Sequence, residues 1–193
     1  MAAPPRELDE LVEALATALD AARVPYALGG AVCLAAWGVP RATRDVDLNV
    51  FVDESGLDAV FAALAAAGCD VDRVASRASA AERGDFQASA GGTRVDVFIA
   101  FHAYHVEVAA RCVTVTAPAG RSLRLLSAED LLVFKTLFGR TKDFADIERL
   151  VAARGSALDA AYVLRWLAAL LPVDDPRPAR VRALLGSGGA STG

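Results

Sequence analysis

Asp45 and Asp47 stand two residues apart in Asp45-Val-Asp-Leu-Asn-Val-Phe-Val52, a run in which polar and apolar residues alternate. That alternation is the period of a half-buried strand, where residues i and i+2 face the same side. The spacing therefore predicts two carboxylates projecting together, about 7 Å apart along the strand. Like charges so held repel each other unless a cation lies between them. A hard divalent ion such as Mg²⁺ suits carboxylate and water oxygens. The alternative is a strand end carrying two solvated aspartates. Asp96 bears on that choice, because it sits in the middle of the strand-like run Arg94-Val-Asp-Val-Phe-Ile99. Aspartate is disfavoured in mid-strand, so something must reward it there. A neighbouring strand would bring it beside the first pair. Three carboxylates around one or two Mg²⁺ ions form the layout of in-line phosphoryl transfer, with Asp96 both a ligand and a base for the attacking oxygen.

Two further features belong with these carboxylates. Gly29-Gly30 precedes Asp45 by 15–16 residues, between a strand-like and a helix-like segment. Without Cβ atoms the backbone there can approach a phosphate closely, although most Gly-Gly pairs are plain turns. Of the 20 basic side chains only Lys135 and Lys142 are lysines. A lysine kept in so arginine-rich a chain suggests a role for a compact point charge that a planar fork does not fill.

The elements that must position these residues follow from periodicity and breakers. Leu8, Leu11, Val12, Leu15 and Leu19 predict a helix over 6–22. Residues 23–28 predict a short strand, 31–37 a short apolar helix ended by Gly38-Val-Pro40, and 45–52 the aspartate strand. Leu57, Val60, Phe61 and Leu64 mark another helix. Residues 75–84 carry no clear period and are expected to form a loop. Residues 86–90 and 93–100 around Gly91-Gly92 predict a hairpin, and 111–116 a further strand. After Ser127, a natural N-cap, the pattern is helical: one helix ends at Gly139, Thr141 is expected to cap the next, and two more occupy 156–171 and 176–185. The expected organisation is an α/β core over 1–120, a helical part over 121–186 and a flexible tail over 187–193.

The chain has 193 residues, enough to bury a core without disulfides, and 54% hydrophobic against 23% charged residues excludes a disordered polypeptide. The net charge of −4 argues against a general nucleic-acid binder. No apolar run reaches the ~18 residues of a membrane span. The first residues show no basic region followed by an apolar stretch, so no signal peptide is expected. Cys33, Cys69 and Cys112 are widely spaced and without a CxxC, which predicts reduced thiols and a cytoplasmic setting.

Several residues admit two readings. Arg41 and Arg44 flank the aspartate pair and can meet phosphates or an acceptor, while Arg44 can equally pair with Asp45. His102 and His105, in an aromatic loop, are a conceivable metal pair without a third ligand nearby. Trp37 and Trp166 fit core positions. Ser76 and Ser79 are conceivable modification sites with no specific motif around them.

The stretch Tyr26-Ala-Leu-Gly-Gly-Ala-Val-Cys-Leu-Ala-Ala-Trp-Gly-Val-Pro-Arg-Ala-Thr-Arg-Asp-Val-Asp-Leu48 resembles the signature of the nucleotidyltransferase superfamily, the polymerase-β-like fold. Within it the chain is similar to the bacterial minimal and AbiEii-type nucleotidyltransferases, which include toxins of toxin–antitoxin systems. The resemblance resumes over Leu126 to Ile147, with Glu129-Asp130-Leu131, Lys135, Arg140 and Lys142-Asp143-Phe-Ala-Asp146-Ile147. It implies an α+β fold: a mixed twisted sheet with flanking helices, followed by a helical part. It implies metal binding by Asp45, Asp47 and Asp96, nucleotide phosphates at Gly29 and Gly30, nucleotide contact by Lys135, and Asp143 or Asp146 completing the site. Many relatives carry Gly-Ser at Gly29-Gly30, so Gly30 offers only its backbone N–H. The activity implied is Mg²⁺-dependent transfer of an NMP from an NTP to an acceptor: a tRNA or other RNA end, a protein side chain, or a small molecule. A cognate toxin or antitoxin is the implied partner in one setting. The contrasting expectation is a catalytically silent interaction module built on the same fold.

Overall fold

In the computed structural model, which describes residues 7–117 and 120–187, the chain divides into two units. The first holds the described residues of 1–32 and 42–125; the second holds 33–41 and the described residues from 126 onward. The tail expected over 187–193 lies outside the described residues beyond Ser187, as does residue 6 of the expected first helix.

The first unit is built on one six-stranded mixed sheet. Helix α1 (Leu8–Ala21) buries Leu11, Val12, Leu15 and Leu19, the stripe its spacing predicts. Strand β1 (Tyr26–Leu28) leads into α2 (Gly30–Ala36), which passes from the first unit into the second. Then come β2 (Asp45–Val50), a 3₁₀ turn (Glu54–Gly56), α3 (Leu57–Ala66), α4 (Arg73–Arg83), the hairpin β3 (Asp85–Ala90) and β4 (Thr93–Ile99), α5 (Tyr104–Arg111), β5 (Val113–Thr116) and β6 (Ser122–Leu125). The sheet order is β3-β4-β2-β1-β6-β5. β2 runs parallel to β4 and β1 parallel to β6, and the other neighbours are antiparallel. Val46, Leu48, Val95, Val97, Ile99 and Phe86 are buried, and Phe86 meets Phe61 of α3 edge-on at 5.4 Å. The alternate residues of β2, β4 and β3 stay on the more open face.

Three segments differ from expectation: strand β6, which no sequence pattern marks, and the two that follow. Of residues 75–84, all but Gly84 are helical within α4. The Asp72 carboxylate accepts from the N–H groups of Val74 and Ala75, both at 3.0 Å, and Gly84 closes the helix at φ +75°. Among its residues only Ser76 and Ala80 are buried, so the helix rests on its caps and its alanines and carries almost no apolar stripe. The aromatic segment expected as a loop runs into α5 at Tyr104, whose N–H donates to Nδ1 of the preceding His102 ring at 3.0 Å.

The second unit is helical: α6 (Ala128–Phe138), α7 (Thr141–Arg154), a 3₁₀ turn (Gly155–Ala157), α8 (Ala160–Leu170) and α9 (Arg177–Ser187). Ser127 caps α6 as predicted, accepting from the Asp130 N–H at 3.0 Å. The cap of α7 is Arg140 rather than Thr141: Asp143, three residues into the helix, accepts from the Arg140 N–H at 3.2 Å. Buried Asp130 accepts from Ser127 Oγ at 2.5 Å and from Tyr162 Oη at 2.7 Å, tying α6 to α8. Arg177 donates to the carbonyls of Leu137 (2.6 Å) and Thr136 (3.3 Å), satisfying the C-terminal end of α6.

Candidate functional site

The parallel register between β2 and β4 sets Asp47 directly opposite Asp96 and Asp45 directly opposite Arg94. Residues two apart on a strand share a face, so Asp45, Asp47, Arg94 and Asp96 all stand on the open face of the first unit's sheet. Gln87 of β3 lies opposite Asp96 from the other side, and its Nε2 donates to Asp96 Oδ1 at 2.9 Å. The expected meeting of Asp96 with the Asp45/Asp47 pair on an adjacent strand is thus how the chain folds.

Arg94 was not among the residues singled out in the sequence, and it is the main addition. Its Nη2 lies 2.8 Å from Asp45 Oδ2 and its Nε 3.0 Å from Asp96 Oδ2. One guanidinium therefore spans two of the three carboxylates. The sequence signal was present, since Arg94 is two residues before Asp96 on the same strand face. Thr43 also hydrogen-bonds the Asp45 carboxylate. The alternative pairing of Asp45 with Arg44 is not the one adopted: Arg44 is exposed, and Asp45 takes its cation from across the sheet.

Gly30 is shaped around Asp47. Its φ is +52°, and a Cβ placed on it would lie 1.7 Å from Asp47 Oδ2. The Gly29 N–H donates to the Asp47 carbonyl at 2.8 Å. The Gly-Gly pair thus serves the aspartate strand directly, through close approach at one residue and a backbone bond at the other.

Among the described residues no three His, Cys, Asp or Glu side chains converge as a metal cluster. The donor set nonetheless fits a hard divalent cation. It consists of oxygen ligands only, on adjacent strands of one sheet face, with a cation already lodged between two of them and a glycine leaving room for the third. Asp45, Asp47 and Asp96 are the residues that would hold such an ion.

The second unit contains its own charged cluster. Lys135, only 5% exposed, points its Nζ at Asp146 Oδ2 (2.7 Å) and Asp143 Oδ1 (3.7 Å). Arg41 Nε approaches the same Asp146 oxygen at 3.3 Å, and Arg149 reaches its other oxygen at 4.0 Å. Arg140 Nε donates to Asp143 Oδ2 at 2.6 Å. Four cations thus surround two buried carboxylates. Burial alone would raise the Asp143 carboxyl, but the hydrogen bonds and charge of Arg140, with the charge of Lys135, outweigh it and hold Asp143 below the ordinary carboxylate value. Lys135 therefore does not run its ammonium out to solvent.

The remaining candidates are accounted for locally. His105 is buried, with Nδ1 3.2 Å from the His102 carbonyl and its ring 5.2 Å from that of Phe101; burial pushes its imidazole below the usual range. Trp37 is half-buried and donates through Nε1 to the Leu126 carbonyl at 3.1 Å. Trp166 is half-buried beside Tyr162. Ser79 Oγ donates to the Asp85 carbonyl at 2.6 Å, and Ser76 is buried. Lys142 is exposed.

The six-stranded mixed sheet with flanking helices matches solved nucleotidyltransferases in fold. No protein-family model matches the chain, and no curated protein matches it. Solved structures do. The antibiotic-resistance factor ANT(2'')-Ia in solution is 19% identical, covers 94% of this chain with 92% of its own, and superposes with a TM-score of 0.55. ANT(2'')-Ia in complex with adenylyl-2''-tobramycin is 20% identical, over 90% of this chain and 95% of that one, with a TM-score of 0.58. At this identity the likeness concerns the fold. Among the described residues no helix is long and apolar enough to cross a membrane.

Proposed function

We propose that the chain is a nucleotidyltransferase that moves an NMP from an NTP, with Mg²⁺, to a hydroxyl group of a small molecule. The observation that carries this reading is the in-register pairing of Asp47 with Asp96 beside Asp45, on one sheet face, with Gly30 giving way to the Asp47 carboxylate. When bound there, the ion neutralises triphosphate charge and makes the attacking oxygen more acidic. Asp45 and Asp47 would hold it. Asp96 accepts the proton of the acceptor hydroxyl as its oxygen bonds to the α-phosphorus. The bond from that phosphorus to the oxygen bridging to the β-phosphorus breaks, and pyrophosphate leaves. Gln87 keeps the Asp96 carboxylate oriented through its 2.9 Å bond.

A small-molecule acceptor is favoured over an RNA end or a protein side chain. The net charge is −4, and two of the three arginines of α9, which could otherwise meet RNA phosphates, are engaged within the protein. Arg177 holds Asp175 and the end of α6, and Arg180 meets Glu148 at 3.2 Å and lies over the Phe144 ring. The like-folded ANT(2'')-Ia with its adenylylated tobramycin points the same way. A toxin–antitoxin role is the finer alternative and carries the RNA acceptor with it.

The test is incubation of the protein with each α-³²P-labelled NTP and Mg²⁺, offered aminosugar antibiotics, total RNA or a protein lysate. Label on a small hydroxylated acceptor, absent with Asp47→Asn, is the expected result. Label in RNA or protein would move the acceptor. No transfer to any of them would leave the interaction module as the better account.

A further inference from the structure

The geometry points to Arg94 as an internal cation that occupies the metal-binding carboxylates until a divalent ion displaces it. This rests on the metal site proposed above. Arg94 is the direct partner of Asp45 across the parallel strands and lies two residues from Asp96 on its own strand. Its guanidinium is therefore delivered to both by the backbone itself. The contacts at 2.8 and 3.0 Å use two different nitrogens, so each carboxylate is drawn toward Arg94. Asp96 is further held by Gln87. The carboxylates of Asp45 and Asp96 consequently converge on a guanidinium, which neutralises part of the repulsion among three neighbouring acids.

Arginine is suited to be a placeholder. Its side chain is 52% exposed, so it can swing away without dragging buried structure with it, and ion pairs at such exposure are individually weak. A divalent ion carries twice the charge in a smaller volume and competes for the same oxygens. Metal entry is then an exchange: the guanidinium leaves at least one carboxylate as the ion arrives. The released arginine lies beside the place where the nucleotide phosphates are expected, and its fork matches their oxygens.

The experiment measures Mn²⁺ binding to the full chain by calorimetry, without nucleotide, for the wild type, Arg94→Ala, Arg94→Lys and Asp47→Asn. If Arg94 is the competitor, Arg94→Ala binds Mn²⁺ roughly tenfold more tightly, the effect of losing two half-exposed ion pairs. It also melts lower than wild type without metal and gains more on adding it. Arg94→Lys, a point charge that cannot fork across two carboxylates, falls between. A pure charge effect at a distance would leave Arg94→Lys equal to wild type and would overturn the proposal. In wild type, titration with diamagnetic Mg²⁺ shifts the Arg94 Nε–H resonance as its bond to Asp96 is released; an unmoved resonance at saturating Mg²⁺ overturns it as well. Equal Mn²⁺ affinity in wild type and Arg94→Ala, with Asp47→Asn silent, defeats the role of Arg94 and leaves the metal site standing. No binding in any variant defeats both.

Discussion

Replacing Gly30 with alanine should uncouple folding from chemistry. The new Cβ would lie 1.7 Å from Asp47 Oδ2, 2.6 Å from Asp47 Cγ and 3.0 Å from Asp47 Cβ. The backbone at Gly30 belongs to a strand–helix junction and is not free to retreat, so the Asp47 carboxylate must rotate off its present position. Three terms set the stability cost. Alanine at φ +52° costs about 1–2 kcal/mol, and the stiffer unfolded chain returns about 0.4–1 kcal/mol. Adding the displacement of one short side chain gives a loss of about 1–2 kcal/mol, or about 2–8 °C in Tm for a chain of this size. The catalytic loss should be far larger, roughly a hundredfold or more in kcat, because a carboxylate fixed at the reacting centre has been moved. Gly92→Ala is the control. Gly92 also has positive φ, at +87°, but nothing lies within 4 Å of its Cβ position. It should lose similar stability and keep its transfer rate. Thermal melts and steady-state label transfer on the two variants decide the matter. A Gly30→Ala protein with wild-type kcat/KM would refute the close-approach argument.

Other perturbations follow from the second unit and from α5. Lys135→Ala should destabilise toward the lower end of about 3–5 kcal/mol, since Arg41 still faces the buried Asp146, and Lys135→Arg should recover part of that loss, as denaturant melts will show. Asp143 has a depressed folded pKa, so its stabilisation is complete above the ordinary value of 3.8 and is lost as pH falls through the lower folded value. In Asp143→Asn the acid limb of a stability–pH curve below about pH 4 should therefore be shallower than in wild type. His105 is also depressed, so the unfolded chain binds the proton first and stability should decline as pH drops below 6.5; His105→Phe should flatten that slope in melts between pH 7 and 5.

The parts of the site that lie within one local run were legible in the sequence. Asp45-x-Asp47 declares its shared face by strand period, Gly91-Gly92 declares the hairpin that carries Asp96, and Ser127 declares the start of α6. What was not legible depends on register or on residues far apart in the chain. Arg94 lies 49 residues from Asp45, and only the parallel pairing of β2 with β4 makes them partners. Arg41 meets Asp146 across more than a hundred residues, which no local pattern encodes. The short strand β6 offers four residues, too few to separate from coil. Helix α4 was missed for a different reason: its ends are set by Asp72 and Gly84, and its near absence of buried apolar residues removed the signal that periodicity relies on. The role of Gly30 was half visible, since a missing side chain announces close approach but not to which partner. That partner is Asp47 rather than a phosphate alone.

The central claim is that Asp45, Asp47 and Asp96 together form a metal–nucleotide site. Its most direct test is a melting curve of the wild type with Mg²⁺ and a non-hydrolysable analogue of each NTP, set beside the same titration of Asp47→Asn. At an analogue concentration about a hundred times its Kd, linkage stabilises the wild type by about 2.7 kcal/mol, or about 5–11 °C. Asp47→Asn should melt near the ligand-free wild type and gain little with any analogue. A wild type that gains nothing from all four analogues, or an Asp47→Asn protein that gains as much as wild type, would contradict the account.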